Sequence, residues 1–170
     1  MKKVIRVSLL ILLIAWMLLI FSLSAETATE SSDKSGGFSY RLAAIFVPDF
    51  EDMSAEQQME IIEKMSFPIR KSAHFCIFAV LGVLVFLNIY FFDNLRLGLR
   101  YILTFGFSSL YAASDELHQK FVDGRSGELR DWFIDSVGII VGLLCCIIIL
   151  RIVFRCRKTE GAKRAEKRTY

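Results

Sequence analysis

Two short stretches hold nearly all the residues of this chain that are able to do chemistry. The longer, SDELHQKFVDGRSGELRDWFIDSVG from Ser114 to Gly138, carries carboxylates at Asp115, Glu116, Asp123, Glu128, Asp131 and Asp135, an imidazole at His118, and cations at Lys120, Arg125 and Arg130. The shorter begins with Arg70 and Lys71 and reaches His74. Imidazole beside carboxylates can perform acid–base chemistry or bind a divalent metal, whereas guanidinium and ammonium groups suit phosphate or carboxylate ligands. The spacings that would specify a reaction are missing: there is no His-Glu-x-x-His, no Gly-x-Ser-x-Gly elbow and no Gly-rich phosphate loop. Cys76, Cys145 and Cys146 lie in apolar runs and Cys156 in a basic tail, which suggests neither a disulfide framework nor a zinc motif. No catalytic residue, metal or cofactor is therefore assigned from the sequence.

Both stretches are set in strongly apolar sequence. The chain is 54% hydrophobic and 13% aromatic, and the apolar residues come in blocks, as in a membrane protein rather than one large soluble core. A crossing helix needs about 20 apolar residues. Four stretches come close, at residues 4–23, 73–92, 99–118 and 132–154. The expected fold is all-α: a bundle of four transmembrane helices with a short outer amphipathic helix. Residues 1–155 would form the membrane domain, and 156–170 a basic cytoplasmic tail. A cleaved signal peptide is the alternative for the first block. Its apolar core exceeds the roughly 7–15 residues usual there, which favours a retained span.

Positive charge on short flanks sets orientation. Lys2, Lys3 and Arg6 precede the first block, Arg96 and Arg100 lie between the second and third, and the tail after the fourth is rich in Arg and Lys. With four spans these regions share one side, so both termini are expected in the cytoplasm and the protein in the cell membrane. The tail reads as an anchor on anionic lipid, and no motif supports nucleic-acid binding. The segment 24–71 then lies outside. Glu26–Ser35 is Ser/Thr/Glu-rich and is expected to be flexible. Ser54 and Gln57 fit a helix start, with Met59, Ile62 and Met65 at helical spacing and Pro68 as the stop. Phe38, Leu42, Ile45 and Phe46 hint at a further helix before Pro48.

At about 100° per residue, positions three and four apart share a helix face. Thr104, Ser108, Tyr111, Asp115, His118 and Gln119 form one stripe, with Glu116 about a quarter-turn away. Asp131, Asp135, Gly138, Gly142 and Cys146 form another, and Gly138-x-x-x-Gly142 is a spacing that lets a neighbouring backbone approach closely. Arg70, Lys71, His74, Phe78, Val85 and Asn88 cluster on a third. All three polar ends reach the same outer depth, and the loop carrying Arg125 can fold over them. Plainer readings exist for each residue: Arg70 and Lys71 as interfacial anchors, Asp131 as a partner of a helix N-terminus, His74 as a helix–helix hydrogen bonder, Asp115 and Glu116 as a solvated end. Asp135, a turn inside its helix, needs a partner.

The set Arg70-Lys71-x-x-His74-Phe75, Tyr111-x-x-x-Asp115-Glu116-x-His118-Gln119-x-Phe121, Gly124-Arg125, Asp131 and the Gly138/Gly142 helix resembles the VanZ-like family, as does Phe21-Ser22-Leu23-Ser24 closing the first block. The resemblance covers almost the whole chain short of the tail. Asp123 stands where the family often has proline, and Phe78 where it often has tyrosine. The name-giving member is associated with low-level resistance to teicoplanin, a lipidated glycopeptide, in Gram-positive bacteria. The resemblance implies an integral membrane protein of the cell envelope with that association; it supplies no molecular activity. Three functions remain open. One is binding or shielding of an envelope component, such as an anionic lipid head group or lipid-linked wall precursor, at the outer cluster. The second is a membrane-embedded enzyme acting on such a lipid. The third is a purely structural ion-pair cluster.

Overall fold

The computed structural model describes residues 2–91 and 95–166, with side chains described at 3–91, 95–153 and 155. Among these residues the chain is all-helical: α1 (Lys2–Ser24), α2 (Ala28–Phe46), a 3-10 turn (Phe50–Asp52), α3 (Ala55–Tyr90), α4 (Leu97–Gln119) and α5 (Leu129–Glu166). Three stretches are long and apolar enough to cross a membrane: Lys3–Ser24, one within Ala55–Tyr90, and Leu129–Val153. The fourth expected span, α4, has 23 residues but a more polar sequence.

Two expectations for the outer segment are overturned. The Ser/Thr/Glu-rich stretch is helix, not flexible chain. Thr27 and Glu30 form a capping box, the Thr27 N–H donating to Glu30 Oε2 at 2.9 Å and the Glu30 N–H to Thr27 Oγ1 at 3.3 Å. This satisfies two N-terminal amides that composition alone does not reveal as satisfiable. Ser35, Ser39 and Ala43 then make a buried stripe of small residues along α2. Pro68, in turn, does not stop a helix. α3 starts with the expected Ser54–Gln57 capping box and runs through Pro68 for 36 residues. An interior proline removes one backbone bond at a cost of about 3 kcal/mol. Here α2 lies against this part of α3, with Ser39 Oγ 3.0 Å from Ser66 Oγ, so tertiary packing outweighs the local preference. The helix expected over 73–92 is thus the second half of α3, and its end at residue 92 lies outside the described residues. α5 also outlasts its expected end at 154, because Ala, Arg, Lys and Glu favour helix; the tail's last four residues lie outside the described ones.

α3 is the hub and touches all four other helices. Its closest neighbour is α5. A Cβ on Gly138 would fall against the Phe75 carbonyl, and one on Gly142 against the Ala79 carbonyl, while one on Gly82 would lie 3.0 Å from the Ile139 carbonyl. The Gly138/Gly142 spacing therefore does pack, and against α3. Because 75 meets 138 and 79 meets 142, the two helices run parallel. α4 runs antiparallel to both: Phe86 stacks on Tyr101 at 5.5 Å at one end, and the Trp132 indole donates to the Ser109 carbonyl at 3.2 Å towards the other. α1 is tied on by the Trp16 indole donating to the Ile77 carbonyl at 3.0 Å and by the Asn88 amide donating to the Leu9 carbonyl at 3.1 Å. Phe78, Leu81, Val85, Phe86, Ala112, Ile139 and Leu143 fill the core between the helices.

Candidate functional site

The parallel run of α3 and α5, with α4 returning between them, brings one end of all three helices together. Lys71 on α3 reaches both oxygens of Asp131 on α5 and lies 5.3 Å from the Phe67 ring centre. One turn deeper, His74 Nδ1 is 3.8 Å from Asp135 Oδ1. From α4, Glu116 Oε2 accepts the Glu128 N–H at 3.0 Å, and Asp115 Oδ2 accepts from the Gln119 amide at 3.1 Å. Asp115, Glu116, Gln119 and Asp135 are all buried, which removes the solvated-end reading.

Neither Asp115 nor Glu116 makes an ion pair with Lys71, His74 or Arg125 among the described residues; Lys71 takes Asp131 instead, because the start of α5 is the nearer element. The expected stripe on α4 also divides. Tyr111 donates to the Met17 carbonyl at 2.7 Å and His118 stacks on Phe21 at 4.7 Å. Both therefore serve the contact with α1, while remaining within electrostatic range of Asp115.

The loop between α4 and α5 closes the end of the bundle. Gly124 has φ +73°, the left-handed region that glycine adopts without strain. The loop is held to α2 by the Ala28 N–H donating to the Asp123 carbonyl at 3.2 Å. A Cβ on Gly127 would fall against the Glu116 carbonyl, so only glycine lets the loop settle this close to α4. Arg125 is carried inward and donates to the Leu23 carbonyl at 3.3 Å. Arg70 donates to Ser32 Oγ at 3.1 Å. Neither guanidinium makes an ion pair among the described residues. Partial burial holds the Arg125 pKa below its ordinary value; nearby Arg70 adds to this, while Glu26, Asp115 and Glu116 oppose it.

Two hollows meet at these cations. A polar cavity of about 190 Å³ lies under the loop, between Lys71, Gln119 and Asp131. An apolar groove of about 530 Å³ runs alongside, walled by Leu23, Phe38, Ile69, Ala73 and Ile77. Arg70, His74 and Arg125 line both. Of the residues singled out in the sequence, the structure brings Arg70, Lys71, His74, Glu116, Gln119, Arg125, Asp131 and Asp135 into one region. Sequence reasoning misses Ser32, Gly127 and the groove wall at Phe38. The Thr27-x-x-Glu30 capping box was the available signal for α2 and so for that wall.

The sequence model of the family described as VanZ/LLP1 matches residues 9–151 of the chain. No curated protein and no solved structure matches it.

Proposed function

This chain belongs to the VanZ/LLP1 family, and we propose that it is a four-span protein of the cell membrane that holds an anionic lipid head group, or a lipid-linked wall precursor, at its outer face. The observation that carries this reading is the placement of Arg70 and Arg125. Both lack an ion-pair partner among the described residues, and both stand where the polar cavity opens onto the apolar groove. A planar guanidinium binds phosphate or carboxylate through paired hydrogen bonds. The groove gives an acyl chain an apolar path beside that head group.

Two further features support the membrane arrangement. α4 buries its polar side, Thr104, Ser108, Asp115 and Glu116, against its neighbours and turns Ile102, Phe107 and Leu110 outward. That is how a polar span behaves in lipid. Arg6, Arg96, Arg100 and Arg151 gather at the bundle end opposite the cluster, which by the positive-inside rule is the cytoplasmic one. Both termini are then inside and the cluster is outside.

Thermal stability in nanodiscs tests the reading. Phosphatidylglycerol should stabilise the protein over phosphatidylcholine, and the difference should vanish in Arg70→Ala/Arg125→Ala. Equal stability in both lipids would remove the head-group site. A second reading, a membrane enzyme acting on such a lipid, is favoured by one observation, the imidazole and carboxylates beside the same cavity.

A further inference from the structure

Behind the cavity wall, three side chains from three different helices point at one another. His74 of α3, Glu116 of α4 and Asp135 of α5 offer ligand atoms that all lie within 4.8 Å of one another. Asp135 is fully buried, and neither of its oxygens has a hydrogen-bond partner. Glu116 is 6% exposed, its Oε2 fixed by the Glu128 N–H while Oε1 has no partner. The nearby cation Lys71 is engaged by Asp131. Two carboxylates are thus withdrawn from water, facing one imidazole, with three oxygens unsatisfied. Such groups are costly to bury unless something compensates them.

We propose that His74, Glu116 and Asp135 together bind one divalent first-row transition-metal cation. The charge closes, because two carboxylates and a neutral imidazole balance a dication. The donor set is right for such an ion: imidazole with carboxylates suits manganese, iron or zinc, whereas calcium and magnesium take oxygen donors. The reach is right too. Metal–ligand bonds of about 2.0–2.2 Å bring donor atoms to roughly 3–4.4 Å from one another, which small side-chain rotations achieve from the present spacing. The Glu128 N–H supplies the outer support that orients a ligating carboxylate. Three protein ligands leave coordination positions open. His74 is the ligand that also lines the cavity, so those positions lie on the cavity side.

The test is manganese binding to the purified full chain in detergent, stripped with chelator and followed by electron paramagnetic resonance without added lipid. One Mn²⁺ should bind per chain, be displaced by equimolar Zn²⁺, and be unaffected by equimolar Ca²⁺. His74→Gln and Asp135→Asn should each weaken binding at least tenfold, whereas Glu60→Gln, on the exposed surface, should not. Circular dichroism and gel filtration report folding. If Asp135→Asn fails to fold, His74→Gln, at the partly exposed wall, decides the matter alone. No saturable site, or a site that survives His74→Gln, overturns the proposal and leaves the carboxylates compensated by protons. Because no lipid is present, this result is separate from that of the head-group test.

Discussion

Lys71 and Asp131 lie 60 positions apart in the chain, yet the Lys71 ammonium is hydrogen-bonded to both oxygens of the Asp131 carboxylate, with only 21% and 14% of the two side chains exposed. This ion pair joins the two parallel helices at the end where the polar residues meet. Removing one member of a shielded pair leaves the other charge uncompensated, at a cost of roughly 3 kcal/mol. Lys71→Ala should therefore lower the unfolding free energy in detergent by about that amount. Lys64→Ala, which breaks the exposed pair with Glu60, should leave the unfolding transition where it is.

The contact between α3 and α5 makes a prediction of opposite chemistry. Gly142→Ala places a methyl group against the Ala79 backbone, and such overpacking costs about 1–3 kcal/mol. Gly106→Ala meets open space on α4 and should be neutral or slightly stabilising, since alanine favours helix over glycine. Paired thermal melts of the two variants check this.

Topology is open to thiol labelling in intact cells, in a background with the four native cysteines replaced by alanine. Ser126→Cys sits on the exposed loop, and Gly98→Cys at an open position at the other end of the bundle. An impermeant reagent should modify the first and not the second; the reverse pattern would invert the orientation. Gly127, next in the loop, is unsuited because its Cβ would strike the Glu116 carbonyl.

The function of Arg125 is checked by drug susceptibility. Expression of the protein should raise tolerance to a lipidated glycopeptide more than to a non-lipidated one. Arg125→Lys keeps the charge but loses the planar fork, so it should abolish that gain at unchanged protein level. Unaltered susceptibility to both drugs on expression would exclude a resistance role here.

The main features of this architecture were legible because membrane helices obey a strict rule of length and apolarity. The apolar blocks at 4–23 and 132–154 fall within α1 and α5 for that reason. Shared depth of Lys71, Glu116 and Asp131 followed from helical period and chain direction alone. What was not legible depended on contacts. Nothing local to Pro68 announces that α2 will lie beside it and keep α3 intact. The partner of Lys71 was not decidable from periodicity, because Glu116, Asp115 and Asp131 reach one depth and only the packed distances separate them. Gly127 is one glycine among ten in the sequence until the Glu116 carbonyl appears beneath it.

The ties that hold α1 have a consequence for how the protein is made. Its carbonyls at Met17 and Leu23 accept from Tyr111 and Arg125, across 94 and 102 positions of chain. At roughly 5–20 residues per second, these partners are synthesised on the order of 5–20 s after the helix they secure. Until then α1 is held only by its ties to α3, through Trp16 and Leu9, and its nearly unbroken apolar surface, with a mean hydropathy of 2.8 over an 18-residue window within Lys3–Ser24, equips it to wait. α4 has no such independence, because its buried Glu116 faces α3 and α5. The order of residues along the chain is thus also an order of events: the self-sufficient helix enters first, and the polar one arrives when α1 and α3 are already there to receive it.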